Sequence, residues 1–217
     1  MISIKNKYKN SILFKSINSV ISASFRHRLH NRDFTILSSN CIAGVIYNRL
    51  GLQFLSPTIN MFFTQPDFVE FCLNLDYYLC QPLQFEKSDL PCPVAVLKGT
   101  ADIPTITLNF NHYKTEKEAE EKWEARKARI NRDNLYIILY KLDGLTIEHA
   151  KKLENVTCNN KILLTATAIP EISWSFVIKP NNHQKFASSY LGTDVFGIRW
   201  FEKKWDFVNF LNHKSNQ

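Results

Sequence analysis

The chain has 217 residues, 45% hydrophobic and 22% charged, a balance that fits one well-buried soluble domain and excludes disordered, collagen-like and disulfide-framework proteins. Its net charge of +7 is mostly local: residues 1–33 hold seven Lys or Arg against one acid, and the other twenty bases and nineteen acids nearly cancel. A neutral body with a basic arm lacks the domain-wide basic footprint of a duplex-binding fold, so nucleic acid is not an expected partner.

Within the arm, Leu13, Ile17, Val20 or Ile21, and Ser24 or Phe25 recur at helical spacing between basic residues. Such a segment is either an amphipathic helix that touches an anionic membrane surface or a leader that packs on the body. Residues 1–32 are read as this arm, whose loss should leave a folded body, and residues 33–217 as a single α/β domain. No run of about 18 apolar residues is present to span a bilayer. The five cysteines contain no C-x-x-C pair, which disfavours a zinc site. Without a compact apolar leader segment, the expected location is cytoplasmic with reduced thiols, peripheral at the inner face of the membrane if the arm anchors there.

From Asp33 onward strand and helix signals alternate. Phe34 to Ser38 is a β-prone run, followed by a helix through Val45, Ile46, Arg49 and Leu50 that Gly51 stops. Ser56-Pro57 breaks the chain and Thr58 to Phe63 reads as another strand. A helix follows with Asp67 as its cap, and Phe68, Phe71, Cys72, Leu75 and Leu79 on one face, which makes Cys72 a core residue. After a proline-rich loop, Val94 to Leu97 is a short strand, and Ile106, Leu108 and Phe110 alternate with polar residues as a half-buried or edge strand. Thr115 and Glu118 form a capping-box signature for a helix running to about Arg132, with acids early and bases late. Leu135 to Tyr140 is a strand ended by the turn Asp143-Gly144, Thr146 to Leu153 a short helix, and Lys161 to Ala166 a strand. Phe201, Trp205, Val208 and Leu211 mark a closing helix. The alternation predicts a three-layer α/β domain with a largely parallel or mixed sheet.

Ligands of open α/β sheets collect beyond the carboxyl ends of strands, which singles out Asn40 and Cys41. A helix starting there offers free N–H groups and a positive end, favouring a thiolate at Cys41 and an anion or oxyanion beside it. The alternatives are a small buried thiol and a turn asparagine. If the 106–110 strand is parallel to the first, His112 stands on the same rim as Asn40 and Cys41, as a general base or as a backbone-bonded loop residue. Asp143 could orient that histidine or simply serve the turn. Ala119, Trp123, Arg126 and Ile130 share one helix face, so Arg126 points inward, where a guanidinium needs a carboxylate, carbonyls or a bound anion. Arg129 lies on the flank of that face.

Phe34-Thr35-Ile36-Leu37-Ser38-Ser39-Asn40-Cys41, Gly44, Tyr47, Leu50-Gly51-Leu52, Ser56-Pro57-Thr58-Ile59-Asn60, Asp67-Phe68 and Asn74-Leu75 form one block of recognisable residues. His112-Tyr113-Lys114, Glu118-Ala119, Lys122-Trp123, Arg126, Arg129-Ile130-Asn131 and Asn134-Leu135 form a second. In this order and spacing, over about residues 33–166, they resemble a bacterial family of exopolysaccharide biosynthesis proteins built on a domain of unknown function and often encoded with capsule or lipopolysaccharide genes. Where that family carries a tryptophan and two glycines after the Asn-Cys pair, this chain has Ile42, Ala43 and Gly44.

The resemblance implies a role in making or decorating a surface polysaccharide, and the preferred reading of the chain within that role is a transferase that modifies or extends a saccharide with an acyl or glycosyl group. Asn40, Cys41 and His112 would be catalytic, and Gly44, Arg126 and Arg129 would bind substrate, a saccharide acceptor and an anionic donor such as a nucleotide sugar or acyl-CoA. No dinucleotide loop, P-loop or D-x-D motif is present, which disfavours NAD, ATP and a metal. An esterase-like hydrolase acting on acylated saccharide and a non-catalytic module of a membrane-associated assembly are the rival expectations.

Overall fold

Short β-branched and aromatic runs, the first two of them buried on both faces, build the centre of the molecule, a four-stranded parallel sheet. Its strands, in sheet order, are β1 (Thr35–Ser38), β5 (Leu135–Tyr140), β6 (Asn160–Thr165) and β7 (Ser175–Val177). The computed structural model describes residues 12–140, 144–179, 191–194 and 196–213. Side chains alternate across the sheet. Leu37, Ile137, Leu139 and Leu163 enter one core, and Ile36, Tyr136, Ile138, Tyr140, Ile162 and Leu164 the other.

The second of these cores is closed by α1 (Ile12–Arg28), α2 (Ile42–Leu50), α7 (Trp200–Lys204) and α8 (Phe207–Asn212). The first is closed by α3 (Gln65–Leu73), α4 (Leu75–Cys80), α5 (Glu116–Lys127) and α6 (Ile147–Lys152), together with a separate antiparallel sheet. That sheet has the order β2-β3-β4 and consists of β2 (Gln84–Glu86), β3 (Val94–Leu97) and β4 (Ile106–Asn109). The protein is thus a layered α/β fold whose main sheet is parallel, and the small antiparallel sheet is a feature the alternation of signals did not predict.

Several boundaries differ from expectation for local reasons. The predicted strand at 58–63 is a turn followed by a single bridge between Phe62 and Asn109, because Asn60 takes a left-handed φ of 64° that no continuous strand allows. The helix expected from Asp67 to Leu79 begins two residues earlier, where the Thr64 hydroxyl accepts the Asp67 N–H, and it breaks at Asn74 into α3 and α4. The closing helix is likewise split at Trp205-Asp206, with the Asp206 carboxylate capping α8. Gly51 ends α2 in the left-handed conformation at φ 66°, as its position after Leu50 suggested.

The arm is built into the fold. Helix α1 turns Ile17, Ile21 and Phe25 toward the body, the Phe25 ring lying 4.9 Å from that of Phe207. Asn18 donates to the Phe196 carbonyl, Arg28 pairs with Asp206, and Leu29 is buried. Lys15, Ser16, Ser19, Ala23, Ser24 and His27 face outward, and so does the large apolar Val20. Ile17, Ile21 and Phe25, half of the stripe read from sequence as apolar, are thus turned to the protein body. Among the described residues no helix is long and apolar enough to cross a membrane.

Candidate functional site

The carboxyl end of β1 runs directly into α2 through Ser39, Asn40 and Cys41, and its polar groups are tied down locally. Ser38 N–H donates to the Thr58 hydroxyl at 3.1 Å, and the Ser38 hydroxyl donates to the Asn40 carbonyl at 2.6 Å. The first helix N–H groups are already answered: Ile42 donates to Asn40 Oδ1 at 3.0 Å and Ala43 to Ser38 Oγ at 3.4 Å. The anion expected at this helix end therefore meets N–H groups engaged by the protein's own side chains.

His112 does reach this rim, but by another route than the one anticipated. Strand β4 belongs to the antiparallel sheet, so it is not parallel to β1. Segment 60–63 joins the two sheets instead. Phe63 N–H donates to the Ser39 carbonyl at 3.1 Å, Phe62 exchanges backbone bonds with Asn109, and His112 N–H donates to the Asn60 carbonyl at 3.4 Å. The residue that meets Cys41 is Asn111, whose amide lies 3.8 Å from Sγ, while the Met61 carbonyl lies at 4.0 Å. His112 is exposed, and its ring makes no hydrogen bond among the described residues. Asp143, the other candidate partner for the histidine, lies outside the described residues.

Burial pushes the Cys41 thiol up from its ordinary range, outweighing the Asn111 amide and the charge of Arg199, which pull it down. Burial thus opposes the thiolate that a place before a helix would favour.

Arg126 points inward as its helix face predicted and is only 7% exposed. Its partners are neutral. Nη1 donates to the Ile59 carbonyl at 3.2 Å and to the Tyr113 hydroxyl, and the guanidinium sits 5.3 Å from the Phe54 ring centre and 5.9 Å from that of Tyr113. Tyr113 in turn donates to the same Ile59 carbonyl at 2.8 Å. Arg126 thus clamps α5 to the 59–60 turn and to the segment that carries Asn111 and His112. Of the partners its inward face called for, the described contacts supply a carbonyl and a hydroxyl, which gives Arg126 a positioning role.

Arg129 is exposed beyond the end of α5, beside Asn131, whose N–H donates to Thr35 at the start of β1. That is the amino-end rim, opposite Cys41, so Arg129 does not join the site. Gly44 is buried, and a Cβ there would stand 3.3 Å from Ile59 Cγ2 and 3.4 Å from Asn60 Oδ1. Its contribution is a close approach that seats Asn60, not a ligand contact.

Three side chains of this region were missed from sequence. Asn60 and Asn111 sit in turns where asparagine is unremarkable, although an asparagine that must hold positive φ is a recognisable signal once the turn is known. Arg199 lies outside every periodic pattern, yet its charge acts on Cys41. Its neighbour Glu202 is engaged by Arg49 through both oxygens, Nε to Oε1 at 2.7 Å and Nη2 to Oε2 at 2.8 Å. Among the described residues no three His, Cys, Asp or Glu side chains gather closely enough to hold a metal ion.

Residues 12–212 match the family model described as a domain of unknown function, DUF1919. The chain belongs to this family, and the match takes in α1 and the C-terminal helices as well as the blocks at 33–166. A protein of Haemophilus influenzae described as an uncharacterized protein is 30% identical over 193 residues, which cover 89% of this chain and 91% of that relative.

Proposed function

We propose that this member of the DUF1919 family is a transferase of surface polysaccharide biosynthesis, moving a glycosyl or acyl group from an anionic donor to a saccharide hydroxyl. The observation that carries the reading is the meeting of Asn40, Cys41, Asn60, Asn111 and His112 at one strand end. Side-chain amides donate and accept together, which suits the paired donor and acceptor character of sugar hydroxyls. His112 is held through its backbone while its ring stays open to a ligand.

In this mechanism neutral His112 takes the proton of the acceptor hydroxyl as the oxygen bonds to the donor's anomeric or acyl carbon. The bond from that carbon to the leaving group breaks, and the leaving group departs with the electron pair. Burial pushes the Cys41 thiol up, which disfavours a resting thiolate there and so favours direct transfer to the acceptor hydroxyl over a covalent thioester.

A thermal-shift screen with UDP-N-acetylglucosamine, UDP-glucose, acetyl-CoA and CoA tests the reading, since a ligand at about 100 times its Kd adds roughly 2.7 kcal/mol to stability. A donor that stabilises the chain should yield a mass-shifted oligosaccharide, and His112→Ala should abolish the product while leaving donor binding. Hydrolysis of p-nitrophenyl acetate with no donor stabilising the chain would overturn the proposal in favour of the hydrolase.

A further inference from the structure

A polar cleft of about 300 Å³ opens between α1, α2 and the turn at 193–199, lined by Asn18, Ser22, Asn48, Arg49, Thr193 and Arg199 among others. Cys41, Val45 and Asn48 stand one turn apart on the same side of α2, so the cleft continues the Cys41 site along that helix. Its size is at the lower end for small-molecule sites.

The charges in it do not balance. All five Arg49 donors are answered. Nε and Nη2 bind Glu202, Nη2 also reaches the Gly197 carbonyl at 2.9 Å, and Nη1 reaches Asn18 and Ser22. Glu202, whose side chain is fully buried, is the carboxylate of that pair. Arg199 spends its backbone N–H on the same Glu202 at 2.7 Å, but among the described residues its guanidinium bonds only the Leu191 carbonyl, through Nη1. Nε and Nη2 of Arg199 have no partner among the described residues, and no carboxylate pairs with it there. Lys203 and Asp194 neutralise each other next to it. Among the described residues two guanidiniums thus share one carboxylate, leaving a half-buried positive charge whose open fork there has Asn48 and Thr193 as companions in the cleft wall. Thr193 and Arg199 are bridged across the turn, which fixes where that fork is presented.

We infer that this cleft is a diphosphate subsite, in which the Arg199 guanidinium holds the phosphates of a donor whose reactive end lies toward Cys41 and His112. A planar fork with two free N–H edges matches phosphate oxygens two at a time, and an unneutralised, partly desolvated cation is worth more to an anion than a surface lysine. Nucleotide sugars and CoA thioesters share the diphosphate, so the subsite serves either source. The inference deepens the transferase reading and rests on it for the donor's role.

Isothermal titration of the full chain with inorganic pyrophosphate, UDP-glucose and acetyl-CoA tests it. Pyrophosphate should bind, and Arg199→Gln should weaken it about tenfold or more, the usual scale for a lost hydrogen bond to a charged group. Asn48→Asp is the second variant. It puts a carboxylate into the exposed wall and touches no internal side-chain bond, so it should weaken pyrophosphate similarly without lowering the melting temperature. Lys122→Gln, on the exposed face of α5, should change nothing. Competition of pyrophosphate with UDP-glucose or with acetyl-CoA identifies the source. Unchanged pyrophosphate affinity in folded Arg199→Gln and Asn48→Asp would overturn the subsite, and so would no binding of any of the three compounds. If pyrophosphate binds through Arg199 but no saccharide product forms with either donor, the subsite stands and the transferase reading falls. If product forms at the same donor affinity in both variants, the reverse holds.

Discussion

Replacing Arg126 by lysine separates a clamp from a ligand contact, because lysine keeps the charge and loses the planar fork. Arg126 makes two Nη1 hydrogen bonds, to Ile59 and Tyr113, and lies against the Phe54 and Tyr113 rings. A lysine ammonium can keep one of those bonds. Losing the other costs about 1.5–3 kcal/mol for a charged donor, and weakening the ring contacts roughly 0.5–1 kcal/mol more. The total of about 2–4 kcal/mol corresponds, for a chain of this size, to a fall in melting temperature of roughly 4–16 °C. Differential scanning calorimetry reads this directly, and donor titration on the folded variant should give an affinity close to that of the parent. A variant that melts unchanged but loses donor affinity would refute the clamp and return Arg126 to the binding surface.

Other expectations follow from the same geometry. Gly197→Ala should destabilise by about 2–4 kcal/mol, combining a side chain at φ 76° with a Cβ 2.6 Å from Phe14 and 2.8 Å from Asn18, and protease cleavage within α1 should accelerate. A chain beginning at Asp33 should melt well below the parent or aggregate, because it loses the Phe25–Phe207 contact, buried Leu29 and the Asn31 bonds to Asn134, Tyr136 and Leu211; an equal melting temperature would contradict the docked arm. Glu202→Gln should cost about 3–5 kcal/mol, since it leaves a buried guanidinium without its carboxylate, and urea denaturation measures it. For Cys41 the sign is set by burial of the neutral thiol, which raises its pKa, so the thiolate forms only at pH above the ordinary thiol range. Peptide-mapped alkylation by iodoacetamide should therefore be slow at pH 7.5 and climb at alkaline pH, lagging behind exposed Cys80.

Periodicity was informative wherever a segment's neighbours lay in one layer. The runs at 35–38, 94–97 and 135–140 are buried at every position and were legible as strands, and the cap at Thr115 was legible because its hydroxyl does accept the Glu118 N–H; the cap at Thr146, built the same way, was not read. Strands β2 and β7 were not, since three-residue strands with mostly polar or half-buried side chains carry no period to detect. The stretch at 58–63 misled because its β-branched and aromatic residues are buried for a different reason. They wedge between two sheets, and the positive φ of Asn60 that bends them there is a backbone property which composition does not encode.

The site divides along the same line. Asn40, Cys41 and His112 were singled out because strand ends are where an α/β fold gathers polar residues, even though the strand argument for His112 assumed the wrong sheet. Arg126 was found by its helix face, but facing inward says only that a cation is buried, and two neutral oxygens and two rings turned out to be its environment. Arg199 left no mark in the sequence, because what distinguishes it is a subtraction made in space. Glu202, three residues along, would pair with Arg199 on any reading of the sequence, and it is Arg49, from a helix about 150 positions earlier, that takes both of its oxygens. Among the described residues the positive charge that Arg199 brings to the cleft is therefore defined by a competition between residues distant in sequence. Removing Arg49's claim tests that competition: in Arg49→Met, Glu202 should turn to Arg199, and pyrophosphate affinity should fall although Arg199 itself is intact. An affinity that rises or holds in the folded variant would mean that Arg199 owes its freedom to something other than the Arg49–Glu202 pair.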